Sequence, residues 1–544
     1  MKKILLIVFS ILISIPVILP FFHVGYFPTH DGEWAIVRLG DMFRTLRDLQ
    51  IPARYSGNLN FGYGYPLFNF TYPSPYYFGV FFHFLGFGFV NTIKILFAGS
   101  VILSAFFMFL ASRALWKNTW GGIIAATLYV YFPYRMVDLY VRGSIGESLS
   151  FVLFPLLFYL AVKLIDKPSS LLIACISASI GILVSTHNIM TVLFMPLYVV
   201  FALLLAVFKN KRAIKPFFIS AILGAGLSAF FWVPALFEKN NILLSQISIA
   251  DRNLYFVKFG QFIFPSWGYG VPTDPNGFSY QLGSVHLVIF IVIILSLLFL
   301  FLRNKNNFKE YFVKIACVLI VIAAFYIFLL FKSSEFLWRL PLLSEINYPW
   351  INLGILGFLI SLLAGILCKN VVGRYFAVVL AIIAVFIVLP YAKPQRYINN
   401  PDSYYLSNDA TTTSSNELMP LWVKKIPLQR VDKKVEILTG KGEITNLLFN
   451  SKQVDFSINA QSETTVRINT IFYPGWKIFV DKINTEISYN NEQGVMEIQI
   501  PSGSHVVRAN FEETPLRLTS DIISLTSVVV LLFFIVKRKN YAIS

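Results

Sequence analysis

Two short runs gather ionisable side chains beside long apolar stretches. The first, PTHDGEWAIVRLGDMFRTLRDLQIPARY, sets His30, Asp31 and Glu33 ahead of Arg38, Arg44, Arg47 and Arg54. The second, YRMVDLYVRGSIGES, carries Arg135, Asp138, Arg142 and Glu147. Ionisable groups at a membrane are expensive and usually have a task. A carboxylate there can accept the proton of an attacking hydroxyl. Arginine offers a planar fork to phosphate or carboxylate and can stabilise a departing phosphate as its charge develops. Simpler readings stand beside these. Long external loops tolerate charge. Asp138 and Glu147 also suit an internal ion pair that locks two helices. His187, in STHNIMT, is more often a hydrogen-bonding turn residue than a ligand.

The elements that must hold these groups follow from composition. The 544 residues are 56% hydrophobic and 13% charged, about half the charged share of a soluble protein. Such a chain needs lipid to cover it. Runs long enough to span lie near 4–22, 91–112, 119–134, 147–165, 170–186, 188–208, 214–237, 283–302, 312–331, 349–368, 372–390 and 519–536, which predicts about twelve spanning helices. The first reads as an uncleaved helix, because no small-x-small site follows it. With a cytoplasmic N-terminus every inside loop is basic: Lys2 and Lys3, Arg113 and Lys117, Lys163 and Lys167, Lys209 to Lys215, Arg303 to Lys309, Lys369 and Arg374, Lys537 to Lys539. Both termini are then cytoplasmic in a multi-pass cell-membrane protein. The formal charge of +17 marks topology and gives no basic groove for nucleic acid. Cys175, Cys317 and Cys368 sit in or beside apolar runs and form no disulfide framework or zinc pattern.

Three units follow: a multi-span domain over 1–391 with a first external loop at 23–90, an extracytoplasmic β-rich domain over 392–518, and a final helix with a basic tail over 519–544. In the first loop, apolar residues from Trp34 to Leu49 recur at helical spacing and predict an amphipathic helix along the interface. A Gly/Tyr/Pro-rich stretch with Tyr63 and Tyr65 follows, whose rings belong at headgroup level or under a sugar ring. TTTSSN at 411–416 reads as exposed loop. From about 435 alternating runs such as VDFSI and MEIQI predict an antiparallel β-sandwich.

No P-loop, dinucleotide fingerprint or HExxH stands in a fitting context. A carboxylate beside arginines at the lipid–water boundary suits attack on a sugar carried by a lipid phosphate. A transporter or flippase of lipid-linked sugars is the alternative; it would favour internal repeats and broken helices. A non-catalytic surface assembly protein is a third reading.

The run HDGEWAIVRL…LQIPARY…GYGYPLFNFTYPSPYY resembles the first external loop of a bacterial branch of GT-C membrane glycosyltransferases, the pyruvoyl-tetrahydropterin-synthase-related membrane proteins. PYRMVDLYVRGSIGESLSFVLFPL and THNIMTVLFMPL resemble its next signatures. YPGWKIFVD…GVMEIQIPSGSHVVRANF is similar to the tail domain of YfhO-type membrane glycosyltransferases. The resemblance implies a GT-C-like polytopic α-helical fold, a polyprenyl-phosphate sugar donor, and an external acceptor that is a glycan, a lipid or a protein. It implies Asp31 as general base, with Glu33 as competitor. His30, Arg38, Tyr63, Tyr65, Asp138, Arg142, Glu147 and His187 become candidate substrate-binding residues. Ile351, in SEINYPWIN, stands where the family loop usually reads FPWR. Another cation, Arg339 or Arg142, must then grip the donor phosphate, or activity is altered. Asp31 and Glu33 would suit a hard cation, but only two carboxylates are evident locally, and no obligatory metal or other cofactor is expected. The β domain either guides the acceptor or serves as a passive lid.

Overall fold

The computed structural model describes residues 3–263, 266–271, 277–303 and 310–537. Lys2, Lys305, Lys309, Arg538 and Lys539 lie outside the described residues, as do the side chains of Lys3 and Arg303. The apolar runs fold as helices, since in lipid every backbone polar group must pair within its own segment. They are α1 (Lys3–Ile18), α2 (Gly32–Arg47), α3 (Phe89–Trp116), α4 (Thr119–Val130), α5 (Ile145–Asp166), α6 (Ser170–Thr186), α7 (Asn188–Lys209), α8 (Ile214–Leu227), α9 (Ala229–Phe237), α10 (Ser284–Arg303), α11 (Tyr311–Leu329), α12 (Asn352–Ala364), α13 (Val371–Val388) and α14 (Pro515–Val536).

Among the described residues nine helices are long and apolar enough to cross a membrane, or ten if α8 and α9 act as one span bent by 70°. The expected twelve exceeds this for a geometric reason. α4 has 12 residues and α6 has 17. At about 1.5 Å per residue both fall short of a hydrocarbon core roughly 30 Å thick. The most enclosed span is Pro349–Lys369, 94% buried, in which short 3-10 turns extend α12 at both ends.

The loops sort to two ends of the bundle. At one end Asn118 Nδ2 donates to Cys368 O at 2.9 Å, and Lys209 pairs with Asp166 at 2.7 Å. These are the loops whose basic residues alternate along the sequence. At the other end meet the first loop, the 138–142 segment, the α6–α7 turn and the approach to α12.

The β domain has eight antiparallel strands in two sheets: β1 (Val435–Thr439), β2 (Gly442–Phe449), β3 (Gln453–Ala460), β4 (Thr464–Ile471), β5 (Trp476–Val480), β6 (Ile483–Thr485), β7 (Val495–Ile500) and β8 (Gly503–Phe511). The sheet orders are β1-β4-β7 and β2-β3-β8-β5-β6. Alternate residues turn inward: Val454, Phe456 and Ile458 from one sheet pack with Val466, Ile468 and Ile498 from the other. This is the sandwich that the alternating runs predict.

The chain between α13 and β1 is a strap, not a free linker. Tyr26 and Ile398 exchange backbone hydrogen bonds at 2.9 and 2.7 Å. The Asp402 carboxylate accepts from Phe89 N at 2.7 Å and Val90 N at 3.0 Å, capping α3. Thr412, within the predicted exposed loop, is wholly buried under α2. Below the sandwich, Glu238 is buried and accepts from Arg517 Nη2 at 2.8 Å and Asn69 Nδ2 at 2.8 Å. Arg54, 1% exposed, pairs with Asp521 at 2.7 Å and Glu513 at 3.2 Å. These ion pairs fasten α14 and the β domain to the first loop.

Candidate active site

Asp31 is the N-cap position of α2. Its amide donates to Arg142 O at 2.7 Å, and His30 N donates to Val141 O at 3.0 Å. The first loop therefore lies directly on the 138–142 segment. That segment is one turn of π-helix, a form that concentrates at functional sites. Gly143 ends it with φ +65°, and a Cβ there would run into Thr29 Oγ1 and come within 2.8 Å of Gly32 N. A Cβ on Gly146 would sit 2.5 Å from Thr186 O and 2.7 Å from the Tyr72 ring. The glycines of VRGSIGE thus let three segments close on one another.

Arg142 is held on three sides. Its Nη1 bonds Glu147 Oε2 and donates to Tyr134 OH at 3.1 Å. Tyr134 OH in turn donates to Glu147 Oε1 at 2.7 Å. The guanidinium lies 4.7 Å from the Trp350 ring centroid, a cation–π distance. One surface stays free: the side chain is 11% exposed and lines a cleft of about 490 Å³. Asp31 lines the same cleft, half-buried. Its carboxylate has no hydrogen bond or salt bridge among the described residues. Trp34, Tyr72, Tyr348 and Trp350 add aromatic walls, and Leu244, Ile249 and Val271 form an apolar flank.

The cleft also takes in His30, Arg38 and His187. His30 Nε2 meets Tyr269 O at 3.0 Å, and burial lowers its pKa. His187 Nδ1 accepts from Met190 N at 3.2 Å, capping α7, and its ring stacks on Tyr72 at 5.2 Å. Burial lowers its pKa to about 3, so at neutral pH it is an uncharged cap. Arg38 spends its fork on the strap: Nε donates to Thr412 Oγ1 at 3.0 Å and Nη2 to Thr412 O.

Other predicted residues lie elsewhere. Glu33 is two residues from Asp31, hence on the opposite side of the helix. It stands beside Tyr26, Tyr405 and Arg396, outside the cleft, and desolvation raises its pKa. Tyr65 is buried, with its hydroxyl 3.1 Å from Thr412 Oγ1. Tyr63 lies at the β domain, where its carbonyl accepts from Ile471 N at 2.9 Å. Asp138 is wholly buried behind Arg142 and takes a hydrogen bond from Ser148 Oγ. Arg339 is 78% exposed, 3.7 Å from Glu335 and away from the cleft. Of the two cations that could replace the family arginine, only Arg142 lines it. Ile351 is 1% exposed in the core, while its neighbour Trp350 reaches the cleft. Of the other arginines in these two runs, Arg54 is locked in its ion pairs and Arg135 is buried, donating to Ser100 Oγ at 3.0 Å.

Sequence reasoning passed over Trp34, Tyr72, Tyr348, Trp350 and Glu417, all of which line the cleft. Trp34 could have been found, since it lies one helical turn from Asp31. Glu417 could not, because the strap folds it back over a distance no local pattern shows. Among the described residues no three His, Cys, Asp or Glu side chains converge as metal ligands would.

A bundle of lipid-length helices, a strapped first loop and a cleft with a free carboxylate and two partnered guanidiniums define a polytopic membrane protein with a polar site at one end of its bundle. The chain belongs to the family of 6-pyruvoyl-tetrahydropterin synthase related domain membrane proteins, whose model matches residues 68–398. That stretch includes Arg142, Glu147, His187 and Trp350. An uncharacterized protein of Lactococcus lactis subsp. cremoris (strain MG1363) is 25% identical over 308 residues, covering 55% of this chain and 49% of its own. The chain thus spans about half the length of that relative. Among solved structures, it is similar to the arabinofuranosyltransferase AftD from Mycobacteria (16% identity, TM-score 0.42, covering 72% of this chain and 26% of that one). It is also similar to the Archaeoglobus fulgidus oligosaccharyltransferase in its apo form (13%, TM-score 0.44, 77% and 61%). The archaeal oligosaccharyltransferase AglB of the same organism, in complex with an inhibitory peptide and a dolichol-phosphate, matches at 14% with a TM-score of 0.41 over 77% and 61%.

Proposed function

We propose that the protein is a membrane glycosyltransferase that moves a sugar from a polyprenyl-phosphate donor to an acceptor hydroxyl on the extracytoplasmic face. The observation that carries this reading is the pairing, in one cleft, of the free Asp31 carboxylate with a guanidinium held at fixed orientation by Glu147 and Tyr134.

The geometry supports a definite set of roles. Asp31 takes the proton of the acceptor hydroxyl as its oxygen forms a bond to the anomeric carbon. The bond between that carbon and the phosphate oxygen breaks, and its electron pair leaves on the polyprenyl phosphate. Arg142 meets that growing charge without needing to reorient. The aromatic walls offer flat faces for sugar rings, and the flank of Leu244, Ile249 and Val271 suits the prenyl chain. Glu147 is a positioning residue in this scheme, since it acts through Arg142.

The test uses purified full-length protein in detergent, a radiolabelled polyprenyl-phosphate sugar and a panel of candidate acceptors. Asp31→Asn is expected to abolish transfer while unfolding at the wild-type temperature, and Glu33→Gln to keep most of it. Equal transfer by Asp31→Asn overturns the assignment of the base. Movement of label across sealed vesicles, with no new glycosidic bond, overturns the transferase reading in favour of a flippase.

A further inference from the structure

A second, larger cavity has no part in the scheme above. It measures about 1030 Å³ and lies between the C-terminal half of α2, the loop around Gly57–Gly62, the end of the strap and the edge strands β1 and β2 of the two sheets. It shares no lining residue with the Asp31 cleft. Yet one helix face serves both. Asp31, Trp34 and Arg38 face the first; Asp41, Thr45 and Asp48 face the second. Steps of three and four place all six on one stripe of α2. Ten residues separate Asp31 from Asp41, a rise of about 15 Å along the axis, the reach of a few sugar units.

The lining has a definite chemistry. Five acidic and four basic side chains nearly cancel, so the groove offers no strong field of either sign. Several are already paired: Arg430 holds Asp409 at 2.5 Å, and Asp48 Oδ2 accepts from Ser451 N at 2.9 Å. Asp41 differs. It is 2% exposed, and its Oδ2 reaches no partner in hydrogen-bond geometry, the Ser56 hydroxyl being the side-chain donor beside it; nor does Thr45 Oγ1, one turn further on. Buried polar atoms are nearly always satisfied, so an unpartnered pair at a cavity wall calls for a ligand that supplies donors. The Phe449 ring is 59% exposed at the rim, with Leu447 beside it and the Lys434 ammonium 5.8 Å from its centroid. A carboxylate with accepting capacity to spare, a near-balance of charge and an exposed flat ring together match a neutral pyranose, with vicinal hydroxyls on one edge and C–H groups on one face.

We infer that this groove is a saccharide-binding site for neutral oligosaccharides, in which Asp41 and Thr45 take sugar hydroxyls and Phe449 carries a ring. That the bound glycan is the acceptor, laid along α2 with its end at Asp31, rests on the transferase reading; the binding itself does not.

The test is saturation-transfer NMR on the full chain in lipid nanodiscs, with maltotriose, β-1,4-mannotriose and β-1,4-galactotriose as probes. At least one probe is expected to give a saturable signal that weakens tenfold or more in both Asp41→Asn and Phe449→Ala and persists in Asp31→Asn. Phe449 is exposed, so its variant keeps the test valid should Asp41→Asn fold poorly. No saturable signal from any probe overturns the inference, as does a signal that ignores both groove variants or vanishes in Asp31→Asn. Binding that passes this test while no acceptor is ever glycosylated removes the transferase reading and leaves the groove standing.

Discussion

The backbone amide of Asp31 donates to the carbonyl of Arg142 at 2.7 Å, so the proposed base and the proposed phosphate-binding residue are registered to each other through main chain. Side-chain motion alone cannot separate them. The relationship depends on Gly143, whose φ of +65° and close approach to Gly32 N leave no room for a side chain. Gly143→Ala is expected to lower stability by about 1–3 kcal/mol and to reduce transfer more than a control substitution of equal thermal cost. Thermal unfolding and label transfer, measured side by side, check this.

The Arg142–Glu147 pair should behave as a unit. Removing Glu147 alone leaves a largely buried guanidinium uncompensated, at a cost of about 3–5 kcal/mol. Glu147→Gln is therefore expected to unfold well below wild type, and Arg142→Met with Glu147→Gln to recover part of that loss without activity. Arg142→Lys keeps charge but loses the fork; a fall in transfer of roughly 100-fold or more is expected. A double-mutant cycle with no coupling between the two positions would count against the arrangement.

Asp41 predicts a pH dependence with a definite sign. Burial pushes its carboxyl up to about 6, with the Ser56 hydroxyl and Arg44 opposing the rise and Asp48 adding to it. The folded protein then binds more protons than the unfolded chain between about pH 4 and 6. This contribution is fully present below the unfolded pKa and is lost as pH rises through the folded value. Unfolding temperature should fall across that window, and Asp41→Asn should remove the slope and gain up to ~3 kcal/mol at pH 7. A variant that keeps the wild-type slope would assign the titration to another group.

Glu238 joins Arg517, Asn69, Tyr473 and Thr514. Glu238→Leu leaves Arg517, itself wholly buried, without its partner, and a loss of about 3–5 kcal/mol is expected. Hydrogen exchange should locate the damage in α14, the first loop and the end of β8 at Phe511, leaving β1 and β7 of the other sheet protected. Uniform loss of protection would show that the clamp is not local.

Much of this architecture is legible in residue order because the forces involved are local. Long apolar runs, basic loop ends and strand alternation are each read within a window of twenty residues. The His30–Asp31 and Arg142–Glu147 groups could be singled out because charge beside apolar sequence is rare. What could not be read depends on distance. Arg339 and Arg142 look equivalent as letters, and only packing shows one exposed beside Glu335 and the other under Trp350. TTTSSN looks like loop because its composition is polar; Thr412 is buried because Arg38 and Tyr65 grip it from 374 and 347 positions away. The short α4 and α6 read as spans in the sequence because hydropathy reports apolar length, not where a helix stops.

The strap from α13 to β1 supplies Thr413, Ser414, Glu417 and Leu418 to the roof of the Asp31 cleft before it runs into the sandwich. Roof and sandwich are therefore one mechanical line. A shift of the β domain against the helix bundle would then change how far the Asp31 carboxylate is covered.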